Sequence, residues 1–357
     1  MNRHRDNFTP LAFVTRSHSI HRILTFCQPI PGILISLIPM LHGCESLHQD
    51  GSFTGTSVQA QTVKLAVLNN PSDAVETLEI LAFNDDNLQK LDCYQRFESP
   101  LSDNVDISSQ NGEKIIMACA NSHFDRNDWM HVSSLTGLED VKVELENEVR
   151  GKPVMSGSMR TEAGSSGESI MLERLHSEVI LRSISCDFTG RAYEGEQIKN
   201  ARAYLTNVNA TCPIWGECGY AERYVNRGML SENDIRRFKD ESLIINNLGT
   251  IGKDIMHCNI NMICYPNQPD SEGPGTSFTR LVIEGQIAGQ TWFWPIDINR
   301  GEGIAQEGVG RNMEYIYDIR ITRKGSADPD TAIETGCVEF IMEVNEWKEK
   351  GEYEEVF

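Results

Sequence analysis

The chain has 357 residues and carries 52 Asp and Glu against 32 Lys and Arg, which gives a formal net charge of −20. A surface this acidic repels a phosphate backbone unless its basic residues gather on one face. The sequence contains no Arg-rich stripe and no basic run with interleaved aromatic residues, so we expect no nucleic-acid partner. The length is sufficient for two domains.

The first 43 residues have the layout of an export signal. Basic residues precede an apolar segment at 30–41, which has the length of a signal-peptide core rather than of a membrane span. Gly43 and Cys44 follow, and a small residue before a Cys at this place resembles a bacterial lipobox, although His42 departs from the usual small or apolar residue. We expect cleavage between Gly43 and Cys44, with diacylglycerol on the Cys44 thiol and a further acyl chain, such as palmitate, on its amine. The alternative is a soluble secreted protein that is cut elsewhere.

Residues 44–61 are polar and rich in Ser, Gly, Thr and Gln, which predicts a flexible tether. A β-rich region begins at Gln61, where apolar and polar residues alternate. Clustered Gly and Ser residues at 151–169 predict a loop, so we place a domain boundary near residue 170. The predicted division is a lipoprotein signal peptide at 1–43, the tether at 44–61, and β-domains at 62–170 and 171–357.

The C-terminal hundred residues alternate apolar and polar side chains in four runs. The runs at 279–287 and 291–298 are joined by a short Gly-containing turn, which predicts an antiparallel hairpin. The runs at 313–323 and 338–345 repeat the alternation. Strands with one apolar face each must pack against a second sheet. The predicted fold class is therefore all-β, built from antiparallel β-sandwiches.

Helical periodicity is weak along the whole chain. The segment 231–240 predicts a short surface helix with Ser231 as its N-cap and Asp234 at the third position. The segment 209–255 predicts a long irregular section, and loops of that length often form an assembly or binding surface.

The cysteines and tryptophans form no recognisable active site. Cys212 and Cys218 bracket a predicted loop, and an oxidising export compartment permits a disulfide between them. Structural zinc ligands usually stand about two to four residues apart. Neither Cys212 and Cys218 nor Cys258 and Cys264 have that spacing. Trp292 and Trp294 either form a sugar-stacking platform or pack in the core, and their alternation with polar residues favours the core. Since the common hydrolase motifs are also missing, we expect no catalytic residue, metal or cofactor.

Three C-terminal segments stand in a specific order in this sequence. CYPN (264–267) ends a strand, WFWPIDI (292–298) lies in an aromatic hairpin, and GRNMEYIYDIRITRKGSADPD (310–330) carries a Tyr-rich strand into an Asp-Pro turn. A last strand then closes on Trp347. This order resembles the fimbrillins of the Bacteroidetes, the FimA-like and Mfa-like pilus subunits. The resemblance is strongest over 260–357 and weaker towards the N-terminus.

The resemblance implies an outer-membrane lipoprotein precursor with two transthyretin-like antiparallel β-sandwich domains in tandem. Many fimbrillins lose their first strand to an Arg-specific protease, and a strand from a neighbouring subunit fills the open groove. This chain departs from that pattern, because the loop at 69–75 contains no basic residue and Lys64 lies inside the predicted first strand. We expect either an uncut accessory subunit, such as a membrane anchor, or cleavage at Lys64 by a protease of broader specificity.

Two classes of function follow from the sequence. The first is a structural subunit or accessory component of surface fimbriae, tethered to the outer membrane, whose partners are other fimbrial subunits and which supports adhesion. The second is a lipid-anchored adhesin or glycan-binding protein that does not polymerise. A secreted hydrolase would need a polar cluster that the sequence does not reveal. The segment 351–357 is either a last strand or a segment donated to a neighbour.

Overall fold

The computed structural model describes residues 61–102, 104–219, 221–300, 307–331, 333 and 336–346. The predicted signal peptide, Gly43 and Cys44, and the tether up to residue 60 lie outside these residues, as do Trp347 and the segment 351–357. Within the described ranges the regular secondary structure is mainly β-strand, with three one-turn α-helices and two short 3-10 helices. Among these residues, no helix is both long enough and apolar enough to cross a membrane.

The N-terminal half forms two facing sheets. One has three strands in the order β4-β1-β8, and the other has five in the order β3-β2-β5-β7-β9. The elements of this half are β1 (Gln61–Leu68), β2 (Thr77–Asn84), β3 (Leu91–Glu98), β4 (Asn104–Ser109), β5 (Glu113–Ala120), α1 (Arg126–Trp129), α2 (Leu135–Leu138), β6 (Lys142–Glu144), β7 (Met155–Glu162), β8 (Ser166–Met171) and β9 (Glu173–Arg174).

The C-terminal half is a second sandwich of two four-stranded sheets. Their strand orders are β16-β10-β19-β20 and β15-β11-β17-β18. The elements are β10 (Ser177–Cys186), β11 (Ile198–Thr206), β12 (Val208–Asn209), β13 (Thr211–Pro213), β14 (Tyr224–Val225), α3 (Glu232–Ile235), β15 (Ile245–Ile251), β16 (Met256–Cys264), β17 (Arg280–Ile287), β18 (Gln290–Asp297), β19 (Met313–Ile321) and β20 (Val338–Glu346). The prediction of an all-β fold with tandem sandwiches is confirmed.

The first strand of each sandwich has the same kind of neighbours. In the first sandwich β1 pairs antiparallel with β4 and parallel with β8. In the second, β10 pairs antiparallel with β16 and parallel with β19. A parallel pair needs a long crossover connection, so in each sandwich the parallel partner of the first strand comes much later in the sequence.

The predicted C-terminal hairpin is confirmed. Strands β17 and β18 pair antiparallel, with Ile287 opposite Gln290. The two residues between them, Ala288 and Gly289, have φ values of 48° and 82°. Positive φ at both central positions is the geometry of a two-residue hairpin turn that matches the twist of its strands.

The predicted loop at 151–169 is wrong, because this segment contains β7 and β8. Neither strand has the apolar alternation that marks a half-buried strand. Strand β7 is buried only at its beginning, and in β8 only Ile170 is buried. Both are strands because they pair, β7 with β5 and β8 with β1. Pairing with a neighbour overrides weak β-propensity.

A continuous core joins the two halves. One face of β2 and β5 contributes Leu81, Phe83, Ile115 and Met117 to a main core that also contains Leu181 of β10 and the inward side chains of the second sandwich. The opposite face of the same strands belongs to a smaller core, described below. Because β2 and β5 are covered on both faces, nearly all of their residues are buried.

Local elements of the second half follow the sequence in part. Helix α3 begins after Ser231, whose hydroxyl accepts a hydrogen bond from the Asp234 amide as predicted, but the helix ends at Ile235. The segment 209–255 is less irregular than expected, since it contains β15 and parts of two small sheets. The domain boundary near residue 170 stays a prediction.

Candidate functional site: the first strand and its groove

The first strand of the described chain is the middle strand of its sheet. Leu65 lies opposite Val105 of β4, and Val67 lies opposite Ile170 of β8. Because this sheet has only three strands, β4 and β8 are its two edges, and they do not pair with each other. Removing β1 would leave a groove lined on both sides by unpaired backbone N–H and C=O groups.

The side chains of β1 fill a core of their own. Val63 and Leu65 are completely buried. The two residues belong to a small cluster that is separate from the main core, together with Leu78, Ile80, Ala82, Val105, Ile107, Ile116, Ala118, Ala120, Met155, Ile170 and Leu172. At roughly 1.5–3 kcal/mol for each fully buried side chain of this size, the two residues supply about 3–6 kcal/mol of burial to this sheet. The groove would therefore be apolar as well as unpaired.

Lys64 lies on the outer face of β1. Its side chain is exposed, and in the strand register it stands opposite Asp106 of β4. Its backbone N–H donates to the Ser165 carbonyl oxygen at 3.2 Å. A protease needs a locally extended, unpaired chain, so cleavage at Lys64 would require β1 to leave the sheet first. Processing at Lys64 stays a prediction.

The loop after β1 is fixed by a buried ion pair. Asp73 binds Arg174 of β9 through two hydrogen bonds, one of them 2.7 Å from Nε to Oδ2. The Arg174 guanidinium also donates to Glu178 of β10 at 2.9 Å. The Asp73 and Arg174 side chains are only 1% and 7% exposed. This contact, the Asp73–Arg174 latch, connects the loop to β9, and Arg174 in turn binds β10 through Glu178.

Asn121 holds the other end of the same loop. Its side-chain amide donates to the carbonyl oxygens of Ala74 and Pro153, both at 2.9 Å, and its oxygen accepts from the Glu76 N–H at 2.9 Å. Asn121 adopts a φ of 57°, a conformation that Asn tolerates better than most residues. The segment that separates β1 from β2 is therefore anchored on both sides.

Comparison with solved structures identifies the architecture. A fimbrilin from Porphyromonas gingivalis aligns with 82% of this chain and 99% of its own, at 13% identity and a TM-score of 0.61. A Bacteroides eggerthii protein with a proposed role in cell adhesion aligns with 81% of this chain and 96% of its own, at 14% identity and a TM-score of 0.61. A Parabacteroides distasonis protein with a similarly proposed role gives 16% identity and a TM-score of 0.58, with 83% and 99% of the two chains covered.

The chain has the fimbrillin fold. The resemblance noted in the sequence is thus confirmed at the level of the fold. No family model matches this sequence, and no curated protein matches it either. At these identities the fimbrillin fold is retained while most side chains differ, so the particular contacts of this chain have to be considered by themselves.

The remaining residues singled out from the sequence are dispersed over the fimbrillin fold. Cys212 and Cys218 are placed as a disulfide pair with Cα atoms 5.7 Å apart, a separation that disulfides span. Cys264 is buried and Cys258 is half-buried. Among the described residues, no group of three or more His, Cys, Asp or Glu could hold a metal ion.

Trp292 and Trp294 do not form an open platform. Trp294 is completely buried, and its indole N–H donates to the Arg323 carbonyl oxygen at 2.9 Å. Trp292 is half-buried, and the Lys324 ammonium lies 5.1 Å from its ring centre. The core interpretation is therefore right for Trp294.

Three residues of the site were missed in the sequence. Asp73 follows Pro71 and Ser72, so it looks like an ordinary turn residue. Arg174 lies 101 residues after Asp73, which it binds. Asn121 lies 47 residues after Ala74, whose carbonyl oxygen accepts its hydrogen bond. Contacts this distant in sequence carry no local signal and form only when the chain folds.

Proposed function

We propose that this chain is a structural or accessory subunit of surface fimbriae, which associates with neighbouring subunits by β-strand addition. One observation carries the proposal: the leading strand is the middle strand of a small sheet with its own core. Such a strand can be replaced by an extended segment of another chain, which would restore the backbone hydrogen bonds and fill the pockets of Val63 and Leu65. The fimbrillin fold supports the same role.

The role is that of a building component rather than an enzyme. Its partners are other fimbrial subunits, and its place is the cell surface. In this proposal Cys44 carries the lipid that holds the precursor at the outer membrane, and the tether separates that lipid from β1. The lipid anchor, strand exchange and support of adhesion are all parts of the proposal.

Within this role, the groups around β1 favour a subunit that keeps its first strand. The loop after β1 contains no Lys or Arg, and the Asp73–Arg174 latch fixes it against the protein body. While β1 stays in its groove, such a subunit would accept no donor strand there, so it would join the fibre by donating a strand to its neighbour and would end the fibre at the membrane. The anchor role is therefore favoured over that of a shaft subunit.

The test compares surface extracts of producing cells with those of a deletion strain. Unheated denaturing gels should show this chain in ladders of higher mass that collapse on boiling, because strand-exchanged subunits separate slowly. Mass spectrometry of the mature N-terminus then distinguishes the roles. A lipidated Cys44 supports the anchor, and an N-terminus at Leu65 supports a cut subunit. A chain that runs only as a monomer, with fimbriae unchanged in the deletion strain, contradicts the proposal.

A further inference from the structure

A cleft of about 330 Å³ opens where β7, β8 and β9 meet the loop after β13. Small-molecule sites usually measure about 300–1,000 Å³, so this cleft can hold one small unit of a larger ligand. The lining combines an aromatic ring, a cation, a carboxylate and hydroxyl groups, supplied among others by Ser156, Ser158, Glu173, Trp215 and Arg311. The cleft touches the groove of β1 only at Met171, the last residue of β8.

The backbone beside Trp215 is held in place from three sides. The Ser156 hydroxyl donates to the Ile214 carbonyl oxygen at 2.6 Å, and the Ile214 N–H donates to Val141 at 3.1 Å. The Cys212–Cys218 pair closes the loop that carries Trp215. The indole ring is half-buried and packs against the main core while it lines the cleft. A ring fixed before binding loses little conformational entropy when a ligand covers it.

Arg311 provides a positive charge that is bound to neutral groups. Its Nε donates to the Arg174 carbonyl oxygen at 3.2 Å, and its Nη2 donates to the Ser156 hydroxyl at 2.9 Å and to two further carbonyl oxygens. Nη1 of Arg311 donates no hydrogen bond to any described residue. Among the described residues, Arg311 also forms no salt bridge. Burial lowers the pKa of this guanidinium, and the Glu173 carboxylate opposes the shift.

We propose that the cleft binds one hexuronic acid unit of a glycan. The apolar C–H face of a pyranose ring would pack on Trp215, and the sugar carboxylate would accept hydrogen bonds from Nη1 of Arg311. The sugar hydroxyls would donate to the Glu173 carboxylate and exchange hydrogen bonds with Ser158. A neutral sugar would leave Nη1 of Arg311 without an acceptor, and a simple carboxylate would leave the indole uncovered. Binding of a glycan at this cleft goes beyond the fimbrial role.

Three probes test the contributions of the sugar ring and of the carboxylate separately. Methyl β-glucuronide carries both ring and carboxylate, methyl β-glucoside carries only the ring, and N-acetylglycine carries only a carboxylate. Titration calorimetry on the protein without its signal peptide should give the tightest binding for the glucuronide. We expect the glucoside to bind about tenfold or more weakly, since a hydrogen bond to a charged group is lost. Equal binding of glucuronide and glucoside, equal binding of N-acetylglycine, or no glucuronide binding at all would overturn the proposal.

Two variants locate the bound probe. Trp215→Ala should weaken glucuronide binding about two- to tenfold. Trp292→Ala removes a half-buried indole outside the cleft and should leave glucuronide binding unchanged. Arg311→Lys keeps the charge but loses the planar fork, and should reduce the preference for glucuronide over glucoside. If Arg311→Lys fails to fold, the probe comparison and the two Trp variants still decide. Equal losses from Trp215→Ala and Trp292→Ala would place binding elsewhere and contradict the site.

Discussion

The two sandwiches of this chain use the same arrangement around their first strand and embed it differently. Strand β1 is surrounded by two edge strands and a small separate core. Strand β10 lies in a four-stranded sheet, and its Val179, Leu181 and Ile184 belong to the main core that joins both halves. The two leading strands therefore share their strand order, and the separate small core is what distinguishes β1 from β10.

Polar contacts reinforce this difference. Strand β10 is tied to β19 through Arg182, whose Nε donates to Asp318 at 3.0 Å, and through the Ser183 hydroxyl, which donates to the same carboxylate at 2.5 Å. Among the described residues, β1 makes no side-chain ion pair of this kind. What fixes β1 is backbone pairing, two buried apolar side chains, and the latch in the loop that follows it. Substitutions in the latch and in the two leading strands test these differences.

The largest effect is expected for Asp73→Ala, which removes one partner of the latch. Arg174 would then lose its bidentate partner but keep Glu178, so the cost should approach the roughly 3–5 kcal/mol of breaking a buried pair. Asp106→Ala changes an exposed aspartate of the same sandwich and should alter the free energy of unfolding by less than about 0.5 kcal/mol. Urea unfolding measures both values, and limited proteolysis should cut the 69–76 loop faster only in Asp73→Ala. Similar stabilities of the two variants would show that the latch is dispensable.

A paired truncation compares the two leading strands directly. Leu65→Ala and Leu181→Ala each remove a completely buried leucine, and each should cost about 2–5 kcal/mol. Hydrogen exchange should distinguish them, because the two residues lie in different cores. Leu65→Ala should accelerate exchange in β1, β4 and β8 only, whereas Leu181→Ala should accelerate it in both sandwiches. Equal acceleration throughout the protein in both variants would show that the small core is not independent.

A buried carboxylate gives the first sandwich a distinct pH dependence. Burial raises the pKa of Glu79 from 4.5 to about 7, and the Arg96 guanidinium, 2.7 Å away, only partly opposes that shift. The folded state then holds this proton more tightly than the unfolded state, so its stabilising effect is complete below pH 4.5 and disappears as the pH rises through 7. The difference amounts to about 3 kcal/mol.

Glu79→Gln tests this assignment, because the amide imitates the protonated carboxyl group and does not titrate. The free energy of unfolding of the unsubstituted protein should fall relative to that of Glu79→Gln between pH 4.5 and 7, in denaturant titrations at matched ionic strength. Parallel pH curves for the two proteins would contradict a raised pKa at Glu79.

The smallest effect concerns the loop that carries Trp215. If Cys212 and Cys218 are bonded, replacing both with Ser should lower the free energy of unfolding by about 2 kcal/mol or less, because the bond closes a short loop. Thiol titration of the unfolded protein should show two fewer reactive thiols before reduction than after it. Equal numbers of reactive thiols before and after reduction would show that Cys212 and Cys218 are not bonded.

The sequence was sufficient for those elements whose own side chains specify them. Strand β19 alternates buried Tyr315, Tyr317 and Ile319 with less buried residues that are polar except for Ile316, so its pattern indicates both the strand and its inner face. Strands β7 and β8 lack that pattern and form through pairing, so the sequence predicted a loop there. Ser231 marked the start of α3 because capping is a local contact.

The candidate site was predictable only at β1. Alternating Val63, Leu65 and Val67 predicted the strand, and the fimbrillin resemblance indicated its role. The Asp73–Arg174 latch depends on residues 101 positions apart, and the Trp215 cleft depends on the approach of β7 and β9 to a loop. These contacts are set by tertiary structure, so neither composition nor periodicity could indicate them.

Complementation by a peptide tests strand exchange most directly. A protein that begins at Asn69 lacks β1 and should show fast amide exchange in β4 and β8, while β10 and β19 stay protected by the main core. A synthetic peptide of residues 61–68 should restore the protection of β4 and β8, and the same peptide with Leu65→Asp should not. Full protection of β4 and β8 without any peptide, or equal rescue by both peptides, would contradict the claim that β1 is a replaceable strand in an apolar groove.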